Sequence, residues 1–226
     1  MTGPLDPSSR ARLSPRTASH FTGERLFDCI ARAVCAAGCL PRKELYEAWE
    51  VARRVRRRFR GGRVVDLACG HALVAHIMLL LDDTSPGALA VDVRIPRSAA
   101  RLSEAMVTRW PRLSGRVRLL EAPLADVALA PLDVVVSAHA CGALTDTILE
   151  RAADAGARVA VLPCCHDIAS GDCGGLEGWL DGPLAIDVTR AARLRQRGYT
   201  VSTQRIPEVI TPKNRLLLAL PTKARG

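Results

Sequence analysis

Two carboxylates, two histidines and a pair of adjacent cysteines carry the chemistry open to this sequence. Asp66 stands near the end of a short apolar run, Val64–Leu67. Ala68-Cys69-Gly70-His71-Ala72 follows, then a second apolar stretch from Leu73 to Leu81. Strand, glycine turn and helix in that order present backbone N–H groups at a helix N-terminus, where a nucleotide-like ligand can sit. Gly70 has no Cβ, so the backbone there can approach a ligand closely. Asp92 closes the next apolar run, about 20 residues beyond the turn, where an acid accepts hydrogen bonds from ribose hydroxyls. An ordinary βα turn and a helix-capping aspartate are the plainer readings of these features. Their joint spacing favours a ligand site.

Farther along, Ser137-Ala138-His139-Ala140-Cys141-Gly142-Ala143-Leu144-Thr145-Asp146 and Pro163-Cys164-Cys165-His166-Asp167 each follow an apolar run. Three kinds of chemistry fit them. Cys164, His166, Cys173 and His139 could ligate zinc, but adjacent cysteines are not the C-x2–4-C spacing that tetrahedral metal favours, and no metal is expected. Cys164 or Cys165 could act as a nucleophile. His139 or His166 could position or deprotonate an acceptor, since an unperturbed imidazole titrates near neutrality. The last reading is preferred, and His139, His166 and Cys164 are the candidate catalytic residues. For Cys141 and Cys165, simple packing at strand ends remains open.

These residues need a scaffold that brings them to one edge. The apolar runs at 64–67, 88–91, 116–120, 133–137 and 157–162 read as strands, separated by helices over 73–81, 96–110 and 144–153. Such alternation gives a parallel sheet, and both Cys/His segments then leave the same edge as the glycine turn and face one cleft. After a glycine-rich, mobile stretch over 168–183 comes a helix over 187–197. Residues 199–205 and 215–220 form an antiparallel pair that closes the sheet. Upstream, Thr22 is placed to cap a helix over 24–37 that Gly38 ends, and Pro41 to open a second helix reaching Phe59. The expected organisation is a disordered arm over 1–20, a helical N-terminal segment over 21–60, and the sheet domain over 61–226.

The turn, D-x-A-C-G-x-A, is not the G-x-G-x-x-G of dinucleotide sites. It resembles motif I of class I S-adenosylmethionine (SAM) methyltransferases, D-x-G-x-G-x-G, with Ala68 and Ala72 at the outer glycine positions. H-A-C-G-A-L-T-D paired with P-C-C-H, together with I-T-P-K-N-R at Ile210 to Arg215, resembles a methyltransferase domain family. That family includes the eukaryotic tRNA acceptor-stem 2′-O-methyltransferase, whose additional Cys/His zinc modules have no counterpart in this sequence. The resemblance runs from about Arg63 to Leu220. It implies a Rossmann-like, seven-stranded α/β sheet with the last strand antiparallel, and SAM as cofactor. It also implies a cofactor site of Asp66, Ala68, Gly70, Asp92, Asp126 and Ser137, with Asp126 bordering adenine. The acceptor it implies is a nucleic acid, RNA or tRNA. A small-molecule acceptor stays open because the sequence has no separate RNA-binding module. A non-catalytic SAM-binding protein stays open because of the two alanines.

Composition sets outer bounds. The 226 residues suit one domain with an N-terminal extension, and 48% apolar content fills a core built from Ala, Leu and Val. No apolar run reaches the roughly 18–20 residues of a membrane span, and the N-terminus lacks the apolar stretch of a secretory signal. A cytoplasmic location without a membrane partner is expected, and the eight cysteines then read as free thiols. The net charge of +9 suits partners that carry phosphate. Only Lys43, Lys213 and Lys223 are lysines, so the arginine excess also fits a GC-rich coding bias. Arg53, Arg54, Arg56, Arg57, Arg58 and Arg60 gather at the end of the second helix and read as a phosphate-binding patch rather than a solvated face.

Overall fold

In the computed structural model, which describes residues 5–222, successive residues of the central strands feed opposite faces of one sheet. Strand β1 (Val64–Leu67) sends Val64 into one apolar layer and Val65 and Leu67 into the other. The strands β2 (Ala88–Asp92), β3 (Val117–Glu121), β4 (Val134–Ser137) and β5 (Arg158–Val161) lie parallel to it, in the order β3-β2-β1-β4-β5. Strands covered on both faces need apolar residues at nearly every position, which explains V-V-V in β4 and V-A-V in β5. Beyond β5 come β7 (Arg215–Pro221) and then β6 (Tyr199–Arg205), with β7 antiparallel to both neighbours. This is the Rossmann-like seven-stranded sheet with its last strand antiparallel.

Helices α1 (Leu26–Ala37), α2 (Arg42–Arg58), α3 (Leu73–Leu81) and α4 (Ala99–Arg109) cover one face, and α5 (Ala143–Asp154) and α6 (Gly182–Gln196) the other. Two boundaries differ from expectation. The residue capping α1 is Arg25, not Thr22, and its side chain makes no capping bond; Gly38 ends the helix at φ 60°. Asp181 caps α6 by accepting from the Leu184 N–H, so this helix opens at Gly182 within the stretch expected to be mobile. Cys173 in that stretch is buried with Ala185 and Ile186 of α6. No helix of the described residues is long and apolar enough to cross a membrane.

Residues 5–20 are not a loose arm. The Leu13 N–H donates to the Leu40 carbonyl at 2.9 Å, and the Arg42 and Lys43 N–H groups donate to the Ala11 and Ser9 carbonyls, each at 3.0 Å. Pro15–His20 forms a 3-10 helix, and Leu13 and Phe21 are buried. Burying these two side chains, together with the backbone bonds to Leu40, Arg42 and Lys43, opposes the ordering entropy that a proline-rich composition was expected to leave uncompensated. Residues 1–4 of the expected arm and 223–226 of the expected domain lie outside the described residues.

The arginine cluster at the end of α2 also divides. Arg56 is only 2% exposed. Its Nε donates to the Met78 carbonyl at 3.0 Å, its Nη2 to Ser85 Oγ at 2.7 Å, and its Nη1 lies 3.1 Å from Asp82 Oδ2. Burial drives its pKa down to about 10, with Asp82 opposing. Arg53 and Arg54 pair with Glu50, and Arg60 reaches the Leu81 carbonyl. Arg57 and Arg58 are exposed. Arg56 therefore belongs to no phosphate patch; it ties α2 to the end of α3. Arg56→Met should lower stability by about 3–5 kcal/mol, because buried Asp82 loses its nearer cation, at 3.1 Å, and keeps only exposed Arg60 at 3.9 Å. Arg57→Ala and Arg58→Ala should each stay within about 0.5 kcal/mol of wild type in urea unfolding.

Candidate active site

Strand register brings the predicted ligand residues to one rim. Leu67 of β1 is paired with Val91 of β2, and Asp66 with Val136 of β4. Ala68, Asp92 and Ser137 thus follow side by side at the carboxyl ends of three adjacent strands. The chain leaves β1 toward β2 on one side and reaches β4 on the other, and such a switch point is where open α/β sheets hold ligands.

The turn after β1 keeps glycine geometry without the glycines. Ala68, Gly70 and Ala72 have φ of 55°, 51° and 61°. For alanine this left-handed region costs about 1–2 kcal/mol per residue. A Cβ built on Gly70 would meet no heavy atom within 4 Å, so the space beside the turn is open. The turn is fixed from outside. Cys69 N–H donates to the Val91 carbonyl at 3.1 Å, and Gly70 N–H to Asp92 Oδ2 at 2.9 Å. The other Asp92 oxygen accepts from Arg94 N–H at 3.2 Å. Asp66 is buried and accepts from the Ala75 N–H of α3 at 3.2 Å. Burial pushes its pKa up to about 8; the Ala75 bond opposes the shift and the Asp92 charge adds to it.

Ser137 is fully buried, and its Oγ has no hydrogen-bond partner among the described residues. Asp126 is exposed on a single 3-10 turn, Leu124–Asp126. His71 of the turn lies 2.8 Å from Ser98 Oγ through Nε2. Burial lowers its pKa, and the charges of Arg12 and Arg101 lower it further, so the N-terminal segment reaches this rim.

The two candidate histidines part company. The His166 Nε2 is 2.8 Å from Asp187 Oδ1 on α6. Arg215 Nε donates to Asp187 Oδ2 at 2.7 Å, and Arg190 joins Asp187 to Asp146. Burial alone would raise the Asp187 carboxyl, but the His166 and Arg215 hydrogen bonds outweigh it and hold it below the usual range. His139 instead acts on Glu44 in the first turn of α2: burial raises the Glu44 pKa and the His139 charge opposes that shift. Cys164 is half-buried, and burial raises its pKa, so it is a poor thiolate; the exposed Cys165, hydrogen-bonded by Cys141, ionises more readily. The four residues weighed as a zinc set do not assemble, since His166 is held by Asp187 and Cys173 is packed against α6.

Lys43 and Glu44 of α2, and Lys213 beyond β6, escaped the sequence reading. Lys213 and Lys43 both lower the pKa of Cys165. Nothing local marks Lys43 and Glu44, which come from α2; Lys213 lies in the I-T-P-K-N-R run, whose resemblance gave it no role.

A family model described as a methyltransferase domain matches residues 43–170, more than half of the chain. The chain belongs to this methyltransferase domain family. No curated protein matches it by sequence. Among solved structures, an O-methyltransferase family protein from Burkholderia thailandensis is 19% identical, over 96% of this chain and 66% of that one, with a TM-score of 0.54. The B. subtilis tRNA methyltransferase TrmK is 20% identical over 77% of this chain and 66% of that one, with a TM-score of 0.51. A candidate rRNA methylase from Clostridium thermocellum is 15% identical, over 77% and 94% respectively, with a TM-score of 0.53. The methyltransferase chain thus spans just under two-thirds of the length of the first two, and at these identities the likeness is one of fold.

The buried carboxyl of Asp66 gives a pH test. Its pKa is about 8 when folded and about 3.9 when unfolded. Between these values the unfolded chain binds fewer protons than the folded one. Stability without ligand should therefore fall as pH rises from about 4 to about 8. Asp66→Asn, which keeps a neutral side chain, should flatten that decline. Urea midpoints across this range check it; an unchanged slope in the variant would remove Asp66 as the cause.

Proposed function

We propose that the chain is an SAM-dependent methyltransferase whose acceptor is an RNA. The observation that carries the cofactor half is the left-handed Ala68–Gly70–Ala72 turn, open above Gly70 and fixed by the Gly70 N–H to Asp92 Oδ2 hydrogen bond. Bound SAM supplies a methyl group already activated by its sulfonium. Asp92, oriented by the Gly70 and Arg94 amides, would accept the ribose hydroxyls. Asp126, free on its exposed turn, would border the adenine. Asp66, resisting its own charge, gains from a cationic ligand nearby.

The protein's own task is then to hold the acceptor in line with the methyl and to manage one proton. His139, whose imidazole has no carboxylate among the described residues holding it as Asp187 holds His166, is the residue we assign to that proton. His166, held by Asp187, orients the segment after β5.

Support for RNA comes from the +9 charge, from exposed Arg57 and Arg58, and from Lys43 and Lys213, whose charges lower the Cys165 pKa. The tRNA methyltransferase TrmK shares the fold. Methyl-labelled SAM incubated with the protein and total RNA should label the RNA. Replacing Arg57 and Arg58 by Ala should reduce the salt dependence of RNA binding by about 0.7–0.9 in slope for each phosphate no longer neutralised. Label confined to a metabolite extract would overturn the RNA assignment, and SAM binding without transfer to either would leave a non-catalytic binder.

A further inference from the structure

Three cysteine sulfurs converge at the carboxyl ends of β4 and β5. Cys141 follows β4, Cys164 and Cys165 follow β5, and the three Sγ atoms all lie within 4.8 Å of one another. Cys141 Sγ and Cys164 Sγ are 3.0 Å apart. Backbone pairing sets this convergence. Cys141 and Cys165 form a parallel bridge, and the Gly142 N–H donates to the Cys165 carbonyl at 3.2 Å. Cys141 and Cys165 are exposed and Cys164 is half-buried, so the cluster opens to solvent on one side. The group contains no histidine or carboxylate.

We infer that Cys141, Cys164 and Cys165 form a binding site for a soft divalent metal ion, zinc first, with three thiolate ligands and a fourth position open to solvent. Thiolates select zinc among the common divalent ions, and zinc sites with three protein ligands keep their fourth position for water or another ligand. The C-x2–4-C spacing is a rule for two ligands supplied by one loop. Here the third ligand arrives from a neighbouring strand, so that adjacent cysteines can share one ion. Three thiolates this close repel one another unless a cation sits between them. Lys43 and Lys213 temper the negative charge that three thiolates leave on a divalent ion.

The test uses the full chain kept reduced. Titration with Co2+ should give one equivalent bound per chain, with a thiolate-to-cobalt charge-transfer band that Zn2+ abolishes on displacing the cobalt. Cys141→Ser and Cys165→Ser change exposed positions and should fold as wild type by circular dichroism. Each should weaken Zn2+ binding by more than the roughly 10–100-fold that outer-shell changes cost. Absence of the band, or a band of equal strength when all three cysteines are replaced by Ser, would overturn the site. SAM binding measured on the same samples reads the methyltransferase assignment separately.

Discussion

Strand β1 is hydrogen-bonded in parallel to β2 on one side and to β4 on the other. The chain reaches those neighbours in opposite directions, which makes the end of β1 a switch point. The turn from Ala68 to Ala72, Asp92 after β2 and Ser137 after β4 all border that point. The Gly70–Asp92 hydrogen bond, 2.9 Å long, then fixes the turn against β2. The cysteine cluster depends on the same constraint one strand further along, where β4 and β5 run in register from Val134↔Arg158 to Ser137↔Val161.

The two alanines of the turn show that its geometry is imposed from outside. Alanine does not choose the left-handed region unaided. Here the Cys69 and Gly70 N–H groups are held by β2 and its terminal aspartate, and the Ala75 N–H by Asp66. The Ala72 side chain is fully buried, so its methyl recovers part of the strain through packing. Strain that the surroundings over-determine in this way clusters at functional sites.

Much of this was legible in the sequence, and the reason is physical. Strands buried on both faces are written as unbroken apolar runs, and the Asp66 and Asp92 spacing follows from a βαβ unit of fixed size. What escaped depends on partners distant along the chain. Arg56 resembles its exposed neighbours Arg57 and Arg58 until Asp82 and Met78 close over it. Residues 5–20 read as an arm because their order comes from Leu40 and Arg42 rather than from any periodicity of their own. His139 and His166 look equivalent in sequence, yet His166 is held by Asp187 of α6, whereas His139 acts on Glu44 of α2 only through its charge. Cys141 and Cys164 meet only because of strand register.

On the proposed reading, this rim binds SAM through Asp92. Calorimetric titration of SAM into wild type and Asp92→Ala tests it directly. One SAM per chain should bind to wild type. The substitution should weaken binding roughly ten- to hundredfold, as expected for losing a hydrogen bond of about 1.5–3 kcal/mol to a charged group. Equal affinity in the two proteins, or no binding to wild type, would contradict it.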